Sequence, residues 1–146
     1  MNDFDRPLNE RGKRNAPFMG KLLKKEKMIP DLIISSPAKR AWTTALKIAE
    51  ELDYPKKNIQ EEKSIYESSV KNLLQIVNNI NNNQAAVFLI GHNPGFTDFL
   101  NYLSDAHILN MPTCSIAQIQ FDFDSWKEIS RDTGTLIRFE YPKKYN

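Results

Sequence analysis

Apolar residues fill Val87-Phe88-Leu89-Ile90 without a break and give way at Gly91, a pattern that predicts a strand covered on both faces. The run Leu32-Ile33-Ile34, rich in branched residues, predicts a second strand over residues 31–35, and residues 59–63 predict a third, short one. The segments between keep helical spacing. Ala41, Ala45, Ile48, Ala49 and Leu52 form one apolar stripe, Val70, Leu73, Leu74, Val77 and Ile80 a second, and Phe96, Phe99, Leu100 and Leu103 a third. An earlier helix is expected from the N-cap Asn9 to about Lys27, kinked at Pro17, since proline removes one backbone bond and crowds the preceding turn. Residues 115–121 alternate apolar and polar, and residues 134–141 return beside them, with residues 125–129 in the turn region. Helices alternating with strands predict an α/β fold, and the last two strands an antiparallel tail on its parallel sheet.

Two strand-to-helix junctions carry polar residues. After the second strand, Ser36-Pro37 predicts a helix start, with serine as N-cap and proline in the first turn. Arg40 then falls where free backbone N–H groups and the helix dipole favour an anion, and its guanidinium adds a fork suited to phosphate. The other junction is Gly91-His92-Asn93-Pro94-Gly95, a glycine-bracketed histidine at the carboxyl end of a strand, where open α/β sheets place their ligands. Each has a plain structural reading as well: a solvated arginine near a helix start, and a histidine that caps a strand or fills a core gap.

Ser35-Ser36-Pro37-x-x-Arg40-Ala41-x-x-Thr44-Ala45, followed by Gly91-His92-Asn93-Pro94-Gly95, resembles the histidine phosphatase superfamily. The opening Asp5-Arg6-Pro7-Leu8-Asn9-Glu10-Arg11-Gly12 and the Gly-His-Asn-Pro-Gly form are similar to the small SixA-type phosphohistidine phosphatases. The resemblance covers nearly the whole chain as one domain, residues 1–146. It implies a phosphoglycerate mutase-like fold of three layers, α/β/α, with a mostly parallel central sheet and helices on both faces. The implied chemistry is phosphoryl transfer through a covalent phosphohistidine that water then hydrolyses, without metal or cofactor. The implied partner is a phosphorylated histidine-containing protein or a small phosphate ester. Arg40 and His92 carry over as catalytic and phosphate-binding residues, and Arg6 as a further phosphate-binding candidate.

One feature of the family is missing. Its nucleophile is the histidine of an Arg-His-Gly or Arg-His-Ala motif ending the first strand, but the only histidines here, His92 and His107, do not follow arginine. The first strand is therefore expected to be absent, the domain truncated at its N-terminus, and the chain inactive as it stands. In the family that strand lies in the middle of the sheet. Its loss predicts two neighbouring strands with unpaired backbone groups and an uncovered apolar slot. Two explanations compete: an incomplete gene product whose natural form is a phosphatase, or a short pseudo-phosphatase that binds a phosphorylated partner without turnover. The leaving group's acid is the least defined part, with Glu67 in about the right region but also readable as a helix-start carboxylate.

Composition excludes several other classes. The net charge of +2 gives no bulk signal for nucleic acid or an anionic membrane, and the lysines among residues 21–27 fit a solvated helix face. The single cysteine, Cys114, rules out an internal disulfide framework, and no Cys/His cluster has zinc spacing. No signal-peptide pattern and no membrane-length apolar run occur, which makes the cytoplasm the default expectation. His107 is expected on a surface loop, Cys114 in a structural role, and Trp42 and Trp126 in packing.

Overall fold

The structure, a computed structural model, describes residues 1–145. Helix α1 (Glu10–Lys25) is capped by Asn9, whose side chain accepts from the Gly12 N–H, and it continues through Pro17. It stops where Lys27 takes a left-handed φ of 59°. Strand β1 (Leu32–Ser35), helix α2 (Lys39–Glu51), the two-residue strand β2 (Gln60–Glu61), helix α3 (Val70–Asn78), strand β3 (Val87–Ile90) and helix α4 (Gly95–Leu103) follow in turn. Strands β4 (Ile116–Phe121) and β5 (Gly134–Glu140) close the chain as a hairpin.

β2, β1 and β3 form a parallel sheet in that spatial order, with Ile33 opposite Phe88 and Ser35 opposite Ile90. Period-two alternation sorts their side chains into two cores. Ile33, Phe88 and Ile90 pack with Ala45 and Ala49 of α2, and Phe88 and Ile90 also meet the cluster around Leu23 of α1. Leu32, Ile34, Val87 and Leu89 face the other way, onto Leu73 and Val77 of α3 and Phe99 and Leu103 of α4. Helices thus cover both faces, as the continuous apolar runs require.

The hairpin departs from the expected tail. β4 and β5 form a separate two-stranded sheet rather than an extension of the parallel one. β4 nevertheless inserts side chains into both cores, Ile116 beside Leu23 and Ile48, and Ile119 and Phe121 beside Leu103 and Ile129. It therefore lies level with β3 but apart from it. Between the two strands runs a cleft of about 1410 Å³, floored and roofed by Met19, Ile48, Phe99 and Leu100 among others. The carbonyls of Ala86 and Ile90 accept from β1-side N–H groups at 2.7 and 3.0 Å. By alternation, the backbone groups of Val87 and Leu89 face the cleft. The cleft is thus lined mainly by apolar side chains and bordered on one side by β3 backbone.

Candidate functional site

The cleft is bordered by Arg40 and His92, one from the start of α2 and one from just beyond the end of β3. Because β1 and β3 are parallel neighbours in register, the segments leaving them emerge side by side. The junction after β1 differs in detail from the expectation. Ser36 accepts the Ala38 N–H at 3.2 Å, forming a tight local turn, and α2 begins only at Lys39 with Ala38 at the N-cap. Arg40 remains in the first turn.

The turn leaves the fully buried Ser36 hydroxyl 2.8 Å from His92 Nε2. Ser36 can accept from Ala38 and still donate to, or accept from, the imidazole, so the contact orients the ring in either tautomer. Gly91 allows this placement. A Cβ there would lie 2.5 Å from Phe96 Cε1 and 2.6 Å from Ile65 Cγ2. Asn93 acts as a turn residue: its Oδ1 accepts from Thr97 N and Oγ1 at 3.1 and 2.7 Å, and its Nδ2 donates to the Met111 carbonyl at 2.7 Å.

Arg40 is engaged by the N-terminal segment. Nη1 donates to the Asp3 carbonyl at 2.9 Å and lies 3.2 Å from Asp3 Oδ1, while Nη2 donates to Oδ2 at 3.2 Å. The Tyr66 hydroxyl donates to the same Oδ2 at 2.6 Å. The Tyr66 ring stands edge-to-face with Phe4 at 5.2 Å and with His92 at 5.5 Å. Hydrogen bonds from Tyr66 and Arg40 hold the Asp3 carboxyl below its ordinary value, with the Arg6 charge adding to the effect. The Asp3 carboxylate in turn pushes the Tyr66 hydroxyl up to about 12. Burial, then the Arg40 charge, lowers His92, and Asp3 partly offsets this.

The structure thus brings Arg40 and His92 into one electrostatic neighbourhood and adds Asp3, Ser36 and Tyr66. Arg6 is exposed and reaches this group through its charge on Asp3. Glu67 is exposed too, and it sits in a left-handed turn (φ 54°) before α3 rather than at the helix start. His107 is exposed beyond α4, and Cys114 is half-buried with burial pushing its thiol up. Tyr66 carried no signal beyond its place before a helix. Among the described residues no group of three or more His, Cys, Asp or Glu could hold a metal ion. An arginine fork, an imidazole and nearby hydroxyls at the carboxyl ends of parallel strands suit a tetrahedral oxyanion.

Residues 2–86 match the family model described as histidine phosphatase superfamily (branch 1). The chain is 27% identical over 136 residues to an uncharacterized chloroplastic protein of Arabidopsis thaliana, covering 88% of this chain and 62% of that protein's length. Among solved structures, it is similar to the protein assigned as phosphohistidine phosphatase SixA of Agrobacterium tumefaciens. That pair shares 25% identity with a TM-score of 0.78, over 97% of this chain and 87% of the other. A protein histidine phosphatase SixA complexed with tungstate has the same fold, with a TM-score of 0.84 and 22% identity over 99% of this chain and 90% of the other.

Proposed function

The chain belongs to the histidine phosphatase superfamily, and we propose that, when a strand bearing the nucleophilic histidine fills the cleft, it is a phosphohistidine phosphatase of the SixA type. The observation that carries this reading is the position of Arg40 and His92 on one apolar cleft, just beyond the carboxyl ends of the paired strands β1 and β3. A strand lying parallel between β3 and β4 would use the free backbone groups of Val87 and Leu89 and would deliver its next residue to those two side chains. The tungstate held by a SixA of this fold supports an oxyanion pocket.

In this reading the phosphoryl group leaves the substrate imidazole, forms an N–P bond to the nucleophilic histidine, and is then taken by water. Arg40 and His92 hold the equatorial oxygens while charge spreads over them. His92, lowered by burial and by Arg40, donates through one N–H in the empty site. A bound dianion draws a second proton onto it. A substrate imidazole protonated on its other nitrogen leaves as the neutral ring and so needs less help from an acid, which accords with the exposed position of Glu67. Residues 1–146 alone bind phosphate without turnover, since the covalent route has no nucleophile.

The test uses a phosphorylated histidine-containing domain and a small phosphate ester as alternative substrates. A form extended at its N-terminus by a strand that carries an Arg-His-Gly motif is compared with residues 1–146. The extended form should dephosphorylate the domain, and Arg40→Ala or His92→Ala should each reduce kcat/KM by roughly a hundredfold or more. Equal turnover by the short and extended forms would refute the need for a nucleophile on an added strand. Phosphate binding without turnover in the extended form would leave the pseudo-phosphatase.

A further inference from the structure

The groups that would receive a phosphoryl oxygen are already occupied by the chain itself. Arg40 presents both terminal nitrogens to Asp3, and the N–H of Lys39, the first residue of α2, donates to the Phe4 carbonyl at 3.0 Å. A helix N-terminus and a guanidinium fork are what an oxyanion would seek at this corner. One dipeptide therefore satisfies both. It is preshaped by a local turn, in which the Arg6 N–H donates to the Asp3 carbonyl at 3.2 Å and Asn2 Oδ1 accepts from the Asp5 N–H at 3.0 Å. It is fastened by the Tyr66 hydroxyl on Asp3 and by the Phe4 ring against Tyr66.

We propose that Asp3-Phe4 is a displaceable clasp, whose carboxylate holds the place of the phosphoryl group on Arg40 and must leave before substrate binds. This rests on the phosphatase reading above and deepens it. Asp3 is half exposed, its side chain retaining 51% of its accessible surface. A carboxylate this wet is held weakly and is screened by salt. A tetrahedral dianion carries more charge and more acceptor oxygens than the carboxylate it replaces, and the two cannot share one guanidinium without like-charge repulsion. Displacement also frees the Tyr66 hydroxyl, beside the His92 ring, to donate to the incoming oxyanion. The clasp thus sets an affinity threshold and keeps the arginine paired while the site is empty.

Titration of tungstate and of inorganic phosphate into residues 1–146 tests this in the wild type, Asp3→Asn, Phe4→Ala and Arg40→Ala. Asp3→Asn removes the competing charge and should tighten tungstate binding roughly threefold to tenfold at low ionic strength, with the gap narrowing as salt is added. Phe4→Ala loosens the clasp without touching a donor and should shift affinity the same way by less. Thermal melts of each variant confirm that the comparison is between folded proteins. Equal or weaker binding by Asp3→Asn, with Arg40 still required, would overturn the clasp alone and make Asp3 a support for the arginine. Binding unaffected by Arg40→Ala, or no binding by any form, would overturn the phosphate site and the clasp with it.

Discussion

Gly95→Ala sets two effects of opposite sign against each other. Gly95 is the first residue of α4, and its φ is not left-handed, so alanine is conformationally acceptable. Helix propensity alone would favour alanine by up to about 1 kcal/mol. Space argues otherwise. The added Cβ would lie 2.7 Å from the carbonyl oxygen of Ser68, against an ordinary contact of 3.4 Å or more, so backbone must yield by about 0.7 Å. Ser68 precedes the Ser69 cap of α3, and Leu73 behind it is fully buried, which leaves that segment little room. Overpacking of this kind costs about 1–3 kcal/mol. The clash should win, with a net loss of about 1–2 kcal/mol and a fall in Tm of roughly 3–8 °C. The His92 carbonyl accepts the Phe96 N–H at 3.0 Å, so the shift should also disturb the histidine loop and weaken tungstate binding. Gly91→Ala is the internal comparison. Its closest neighbours are side-chain rather than backbone atoms, the Phe96 ring at 2.5 Å and the buried Ile65 at 2.6 Å, so it too should destabilise, by side-chain repacking. Urea unfolding and tungstate titration of both variants decide the matter. A Gly95→Ala protein as stable as the wild type would refute the backbone clash.

His92 should titrate below its ordinary value of 6.5 in the free protein, through burial and then the Arg40 charge. Between the folded value and 6.5 the unfolded chain binds more protons, so this contribution to stability is intact above 6.5 and lost as pH falls through the folded value. NMR titration of the ring and urea melts from pH 8 to pH 5 check both statements, and a midpoint at or above 6.5 would contradict them. Asp31 Oδ2 accepts from the Ala85 and Ala86 N–H groups at 2.8 and 2.9 Å, pinning the start of β3 beside β1. Asp31→Ala should cost about 1 kcal/mol in a urea melt, reduced from the usual charged hydrogen bond by solvent exposure, and an unchanged midpoint would show that the pin contributes nothing.

Local physics made much of this protein legible. Strands β1 and β3 follow from unbroken branched and apolar runs, the cap of α1 from Asn9, and the terminal hairpin from alternation. The junction positions of Arg40 and His92 were readable for the same reason, since the strand and helix signals lie within a few residues of each. The absence of an Arg-His motif was also visible in the composition, because only two histidines exist and neither follows arginine.

Tertiary structure alone decided what those residues meet. Asp3 and Tyr66 lie 63 positions apart, and Ser36 and His92 lie 56 apart. No periodicity or turn signal spans such distances, so the serine on His92 arises only when β1 and β3 pair, and the carboxylate on Arg40 only when the N-terminal segment lies against the start of α2. The hairpin's separation from the parallel sheet has the same origin. Alternation fixes which side chains of β4 face each core, but backbone pairing depends on which strand lies alongside, and here a cleft lies between β3 and β4. Side-chain patterning is written locally in the chain, whereas hydrogen-bond partners and charge neighbours are properties of the assembled fold.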